Sequence, residues 1–480
     1  MADDNHASQV PRRRFIEMAG VGGLGLLAAA CGGGGGGGGG GGKPPAHKAG
    51  AGPQPTFMEP SQQLSGDLKI LQWHHFVPNY DEWFDPYAKK WGKHVGVNVS
   101  VDHIDSQDVV PRAASEISAG SGHDLIMFNF PPSAFEPSLH DLSDVNEEIR
   151  KKYGDQHPYC KLSSYNPTTD KYYGFCHSWT PDPGDYIKSL WKQAGMPDGP
   201  KTWDDLLKIG PKIKKNQHIP VGIGLSNETD SNMAARALMW SFGASIQDKN
   251  EKVVFNSPEM VAAVEFMTKL YKNAMTDTVY AWNPASNNQG LVAGQLSYIL
   301  NSISAYRTAQ QQQPQIANDI YFAPALKGPN GHQGWASEHV IDIYAIPKFS
   351  KNVDAAKEFL LNYAHNMPTV TYQSELYNLP AFPKAVPQAN GWLKSDPFGS
   401  KPKDKLAFLA SATEWTTNVG HPGPANPAIG EIFTTFVLPK MMAKAARGKQ
   451  SPQAAVAATE KDIKQIFEKW RRKGLIGGGG

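Results

Sequence analysis

The chain has 480 residues, a formal net charge of +2 and ordinary composition, 40% hydrophobic and 19% charged. That length accommodates two or three cored units, and a near-balanced charge without a long basic block excludes nucleic acid as the main partner. Its 12 tryptophans exceed what the core requires and point to a surface that grips apolar faces.

Residues 1–31 read as an address. Arg12-Arg13-Arg14-Phe15-Ile16 leads into Met18–Ala30, a Gly/Ala/Leu/Val run of signal-peptide length and too short to span a bilayer. Arg12-Arg13-x-Phe15-Ile16 resembles a twin-arginine export signal, and Leu27-Ala28-Ala29-Ala30-Cys31 resembles a lipoprotein box, so Cys31 is the expected lipidation site. An extracytoplasmic, membrane-anchored chain is the consequence. Residues 32–65, opening on an unbroken glycine tract, are expected to form a tether with a reach of roughly 30 Å.

The folded body is expected to begin at strand Leu68–Trp73, followed by helix Tyr80–His94, strand Val97–Ile104, helix Asp108–Ala119 and strand Asp124–Phe128. This βαβαβ opening predicts an α/β fold with mostly parallel sheets, ligands lying beyond the carboxyl ends of the strands. The loops His74–Asn79 and Asn129–Ser133 occupy those places. Cys160 and Cys176, close in an exported chain, favour a disulfide worth roughly 3 kcal/mol, with two free buried thiols as the other reading. Ser257-Pro258-Glu259 has the chemistry of a helix start. Val340–Ile346 reads as a strand, and Ser451-Pro452 opens a last helix with Ala455, Thr459, Ile463, Ile466 and Trp470 on one face. Residues 476–480 are expected to be a disordered tail.

Several stretches in register then resemble one family. Lys192-Gln193-Ala194-Gly195-Met196-Pro197 leading to Thr202-Trp203-Asp204-Asp205-Leu206 is one; Gly294-Gln295-Leu296-Ser297-Tyr298-Ile299-Leu300-Asn301 is another. Ser350-Lys351-Asn352-Val353-Asp354-Ala355-Ala356-Lys357-Glu358-Phe359-Leu360, Leu379-Pro380-Ala381 and Arg447–Ala455 complete the order. The chain is similar to the extracellular solute-binding lipoproteins of ABC importers, of the maltose- and sugar-binding kind, from about Leu68 to Trp470. The resemblance implies a two-lobed periplasmic-binding-protein fold of type II closing about a hinge. It places 66–177 with 336–395 in an N-terminal lobe and 178–335 with 396–475 in a C-terminal lobe. Ser178–Tyr186 departs from the family pattern in carrying extra prolines.

A sugar needs aromatic faces and planar hydrogen-bonding groups. Trp73 and His74 fit that need at the first strand end, although Trp73 also reads as the last core residue of its strand. Neighbouring residues on a strand point to opposite faces, so His74 and His75 do not chelate one ion, and neither a metal nor a cofactor is expected. Asn129, Trp179, Asp182, Trp240, Asn301, Ser304, Trp335 and Glu338 complete the candidate ligand-binding set, with Asn301 and Ser304 carried by the resemblance. The expected function is a monomeric receptor that captures a carbohydrate-like solute and hands it to an ABC permease. A polyamine or other cation, held by Asp182, Asp185 and Glu338, is the alternative ligand. An exported glycosidase is the alternative class, although no phosphate-cradling loop or nucleophile elbow is present.

Overall fold

The computed structural model describes residues 52–478; the proposed export signal, Cys31 and the glycine tract lie outside them. The strands are β1 (Asp67–Trp73), β2 (Asn98–Ile104), β3 (Leu125–Phe128), β4 (Tyr165–Asn166), β5 (Lys171–Tyr172), β6 (Phe175–Thr180) and β7 (Gly184–Ile187). They continue as β8 (Val221–Gly222), β9 (Tyr298–Leu300), β10 (Ile320–Ala323), β11 (Ala336–Ser337), β12 (Val340–Ala345), β13 (Leu379–Pro380) and β14 (Thr416–Thr417). A six-stranded sheet has the order β13-β6-β12-β3-β1-β2, and a four-stranded sheet the order β10-β7-β9-β8.

The opening βαβαβ unit forms as the hydrophobic pattern dictates. Strand β1 pairs in parallel with β2 and β3. The helix Asn79–Val95 turns Tyr80, Phe84, Tyr87, Ala88, Trp91 and Val95 inward at helical spacing, and it ends at Gly96, whose φ of 83° suits the left-handed cap. The expectation of mostly parallel pairing fails further along. Strand β12 runs antiparallel to β3 and β6, and β6 to β13. Strand β7 is likewise antiparallel to both β9 and β10. The reason is connectivity: β6 leaves the large sheet and β12 re-enters it, so the two run in opposite senses beside each other.

Those two connections position the site. Pro181-Asp182-Pro183 carries the chain from β6 in the large sheet to β7 in the small one, and Glu338-His339 carries it back from β11 to β12. The prolines that break the expected pattern therefore lie in the link itself. Gly184 follows at once, and a Cβ there would fall 2.4 Å from the Tyr298 ring, so the small strand approaches β9 at a distance only glycine allows.

Helix starts follow their caps. Thr202 and Asp205 make a reciprocal capping box at Trp203–Gln217, while Ser257 and Ser451 cap Pro258–Ala274 and Pro452–Arg472. The last helix buries Ala455, Thr459, Ile463 and Trp470, with Ile466 only half-buried.

Three expectations are corrected. Residues 52–64, assigned to the tether, are held against the body: Thr56 N–H donates to Asn366 Oδ1 at 2.8 Å and Met58 N–H to Asn362 Oδ1 at 2.9 Å. Leu64 is buried. Ile476 is buried, and Gly477 N–H donates to Glu251 Oε2 at 2.7 Å, so the tail is docked through 478. Cys160 and Cys176 are free thiols, not a disulfide. Both are fully buried, and burial pushes both thiols up, which keeps them protonated and unreactive. No helix among the described residues is long and apolar enough to cross a membrane.

Candidate functional site

Buried polar groups converge where the two links cross between the sheets. His339 Nδ1 lies 2.9 Å from Asp182 Oδ1, and its Nε2 lies 3.6 Å from Asp230 Oδ1. Its own N–H donates to the Thr180 carbonyl at 2.8 Å. Asp230 opens the helix Thr229–Ser241 and accepts from Asn287 Nδ2 at 2.6 Å, and Glu228 caps the same helix through the amides of Asp230 and Ser231. One imidazole thus joins the first link, the second link and a helix start of the small-sheet side.

The surrounding wall is built from both sides. Asn301 Nδ2 donates to Asn288 Oδ1 at 2.5 Å, and Asn288 Nδ2 donates to Ser304 Oγ at 3.0 Å. From the large-sheet side comes Tyr377, whose hydroxyl feels Asp342, Asp230 and Asp182. Its ring stands edge-on to His75 at 5.0 Å, and His75 stacks on Trp73 at 5.0 Å. Glu338 Oε1 accepts from Ser163 at 2.6 Å. Arg236 donates to Asn232 Oδ1 at 2.9 Å and packs over the Phe433 ring at 5.0 Å. Phe130 stacks on Phe433 with centroids 5.5 Å apart, and Ser133 Oγ donates to the Asn426 carbonyl at 2.9 Å.

Polar atoms are left over inside. Asp182 Oδ2, both Asp185 oxygens, Glu338 Oε2, Thr180 Oγ1, Arg236 Nη2 and Trp240 Nε1 are buried without a hydrogen-bond partner. Each such atom costs about 1–3 kcal/mol when unsatisfied, so this mixed set of donors and acceptors calls for polar partners.

Burial sets the charges. It pushes Glu228 and Glu338 up to about 8 and Asp230 up to about 6, and it raises Asp182 and, further, Asp185. Burial opposes charge on His339, yet Asp182, Asp230 and Glu228 together raise its pKa. Burial draws Arg236 down to about 9, so it stays cationic at neutral pH.

A pH dependence follows. Folded Glu338 keeps its proton up to about pH 8, while the unfolded carboxyl releases it near 4.5. The native state then binds more protons across that window, and stability falls as pH rises through it. Glu338→Gln removes this share: the wild-type unfolding free energy from urea denaturation should drop between pH 6.5 and 8 by about 1–2 kcal/mol more than the variant's. Equal slopes in the two proteins would refute the assignment.

The sequence-derived residues divide. Asp182, Glu338, Asn301 and Ser304 are in the converging cluster. Trp73 is fully buried and supports His75 as the end of the strand core. His74 points away: its side chain is 60% exposed, and it stacks on His103. Its neighbour His75 is the inward residue, because adjacent strand-end residues face opposite ways. Asn129 is buried and its carbonyl accepts from Ile341 N–H at 3.4 Å, just before Phe130. Trp240, on the helix Thr229–Ser241, and Trp335, just before β11, both pack on His421, at 5.7 and 5.0 Å. Trp179 donates to the Pro380 carbonyl at 3.3 Å and lines a separate groove of 460 Å³ along the β13 edge. That groove holds none of the converging carboxylates. Asp230, His339, Tyr377 and Arg236 were missed; a polar residue at a helix start or beside a link carries no periodic signal.

Comparison with known proteins agrees with this architecture. Residues 82–401 match the family model described as bacterial extracellular solute-binding protein. The chain belongs to that family. The Bacillus subtilis arabinooligosaccharide-binding protein is 23% identical over 329 residues, 63% of this chain and 70% of that one. A Deinococcus radiodurans protein named "Probable ABC transporter-binding protein" is 28% identical over 187 residues, 36% of this chain and 43% of its own length. Among solved structures, maltose-bound MalE3 of T. maritima superposes with a TM-score of 0.69 at 19% identity, covering 84% of this chain and all of that one. A sugar transporter from Arthrobacter chlorophenolicus with bound laminaribiose gives 0.70 at 17%, covering 84% and 99%. The fold of this family member is the two-lobed periplasmic-binding architecture of type II.

Proposed function

We propose that the protein is a lipid-anchored, monomeric receptor that captures a carbohydrate-like solute between its lobes and delivers it to an ABC permease. Cys31 and the twin-arginine leader carry the anchoring and export parts of the reading. The observation that carries the ligand part is the set of buried, unpartnered donors and acceptors beside Trp73, His75 and Tyr377. Sugar hydroxyls donate and accept, and they match a mixed set better than an ion of one sign does. The relatives named above for arabinooligosaccharide, maltose and laminaribiose support that chemistry. No bond is broken: closure is driven by solute contacts from both sides, and release follows when the permease favours the open form.

One observation favours a second ligand class. Asp182, Asp185, Glu228 and Asp230 are all buried and act electrostatically on one another around His339, an excess of acids that suits a cationic solute such as a polyamine.

The test is thermal denaturation of the full chain, stripped of ligand, against mono- and oligosaccharides, polyols and polyamines. A ligand at 100 times its Kd stabilises by about 2.7 kcal/mol, and a saccharide hit without turnover is expected. A polyamine hit alone would replace the sugar reading, and consumption of an added oligosaccharide would overturn the receptor reading.

A further inference from the structure

On the outer side of the first strand end, away from the buried cluster, three potential metal ligands face one point. His74 follows β1, Asp81 lies in the first turn of helix Asn79–Val95, and His103 sits on the edge strand β2. His74 Nδ1 is 4.0 Å and His103 Nδ1 3.8 Å from Asp81 Oδ2, and the three ligand atoms all lie within 4.8 Å of one another. The fold forces this meeting: His74 N–H donates to the Ile104 carbonyl at 2.8 Å, and His75 N–H donates to Asp81 Oδ2 at 3.0 Å.

The tautomer is set as a ligand requires. His103 Nε2 lies 2.8 Å from Asp85 Oδ1, and a carboxylate there accepts the Nε2 proton. An imidazole that donates from Nε2 can offer Nδ1 to a metal, and Nδ1 is buried without a hydrogen-bond partner, as is Asp81 Oδ1. A carboxylate behind a histidine is the arrangement that orients imidazole ligands around metals. The two imidazole rings stack at 5.4 Å with an 18° tilt, which puts two like groups side by side and supplies neither Nδ1 with a donor.

We propose that His74, Asp81 and His103 form a site for a divalent transition metal, zinc by its ligand set, with Asp85 positioning His103 and water in the fourth place. Two imidazoles and one carboxylate suit such an ion rather than magnesium or calcium. Tetrahedral ligands at about 2.0–2.1 Å from zinc stand ~3.3 Å apart, so the two histidine–aspartate pairs must close by about 0.5–0.7 Å and the two histidines by up to about 1.5 Å. His74, mostly exposed, is free to make that move. The residues are spaced by 7 and 22 positions in the chain, which is why no motif announces them.

The experiment is titration of the metal-stripped full chain with cobalt(II) chloride, read by visible absorption, and with zinc chloride, read by calorimetry. A tetrahedral cobalt spectrum that zinc abolishes at one equivalent is expected. His74→Ala, a change at an exposed position, should remove the cobalt spectrum, and Asp85→Asn should weaken zinc by about 10- to 100-fold. Absence of a cobalt spectrum in the folded wild type would overturn the site. So would zinc binding that survives His74→Ala and Asp85→Asn unchanged, since the ion would then sit elsewhere.

Discussion

Replacing Asp396 by alanine is expected to destabilise the protein by about 3 kcal/mol, the lower end of the cost of breaking a buried ion pair, because the Glu375 carboxylate stays 3.8 Å from the Arg307 guanidinium. Its partner Arg307 is fully buried and forks onto the carboxylate, Nη1 to Oδ2 at 2.7 Å and Nη2 to Oδ1 at 3.1 Å. The same guanidinium donates twice to the Glu375 carbonyl, at 3.0 and 2.7 Å. Glu375 and Leu376 both have positive φ, 53° and 67°, a region that costs a side-chain-bearing residue free energy. Arg307 therefore holds a strained turn in place, and that turn presents Tyr377 and Asn378 to the cleft. Burial disfavours charge on Asp396, but Arg307 more than offsets it, and its carboxyl lies below the usual range. Arg307→Lys keeps the charge and loses the fork, so it should recover only part of the stability. Urea denaturation of the three proteins measures this; an Asp396→Ala midpoint within error of wild type would show the pair to be energetically idle.

The second large effect is on solute affinity. His339→Ala should weaken binding of the best saccharide from the panel by about 10- to 150-fold, the equivalent of one charged hydrogen bond at 1.5–3 kcal/mol. His339 is the side chain that bridges Asp182 and Asp230, at 2.9 and 3.6 Å, and it sits on the second link between the sheets. Without it, two buried carboxyls lose their shared partner and the helix start at Thr229 loses its tie to the other side. His339→Gln, which keeps one donor toward Asp182, should retain part of the affinity. Calorimetric titration of each folded variant decides the matter. Unchanged affinity in His339→Ala would remove the converging cluster from the binding site and return attention to the groove beside Trp179.

Much of this architecture was legible in the chain. The alternation of Val97, Val99 and Val101, the stripe from Tyr80 to Trp91 and the Ser-Pro helix starts are local signals, and local signals survive folding. Asp182 and Glu338 stand out beside the links, but the expected lobe boundary at 177/178 falls inside β6, short of Pro181-Asp182-Pro183. What failed was direction. His74 and His75 differ only in which face of a strand end they take, and that is set by the pairing of β1 with β2 and β3. Trp179 and Trp240 are expected to face the ligand, whereas Trp179 lines the separate groove along β13 and Trp240 packs on His421, because a tryptophan's partners depend on the register of its neighbours. Asp230, His339 and Tyr377 meet across more than a hundred residues of sequence, through contacts that exist only once the second link has returned the chain to the large sheet. The antiparallel strands were hidden for the same reason.

A buried carboxyl that holds its proton at neutral pH is also a proton reservoir. Glu228 and Glu338, held up at about 8 by burial, keep their acid form at neutral pH. A neutral polyol can accept their hydrogens and leave them in place, whereas a cation favours their ionised form and drives protons into the medium. The heat of binding would then be the same in phosphate and in Tris for a sugar, and different in the two buffers for a polyamine. The cleft thereby reports the charge of its guest through the solution around it.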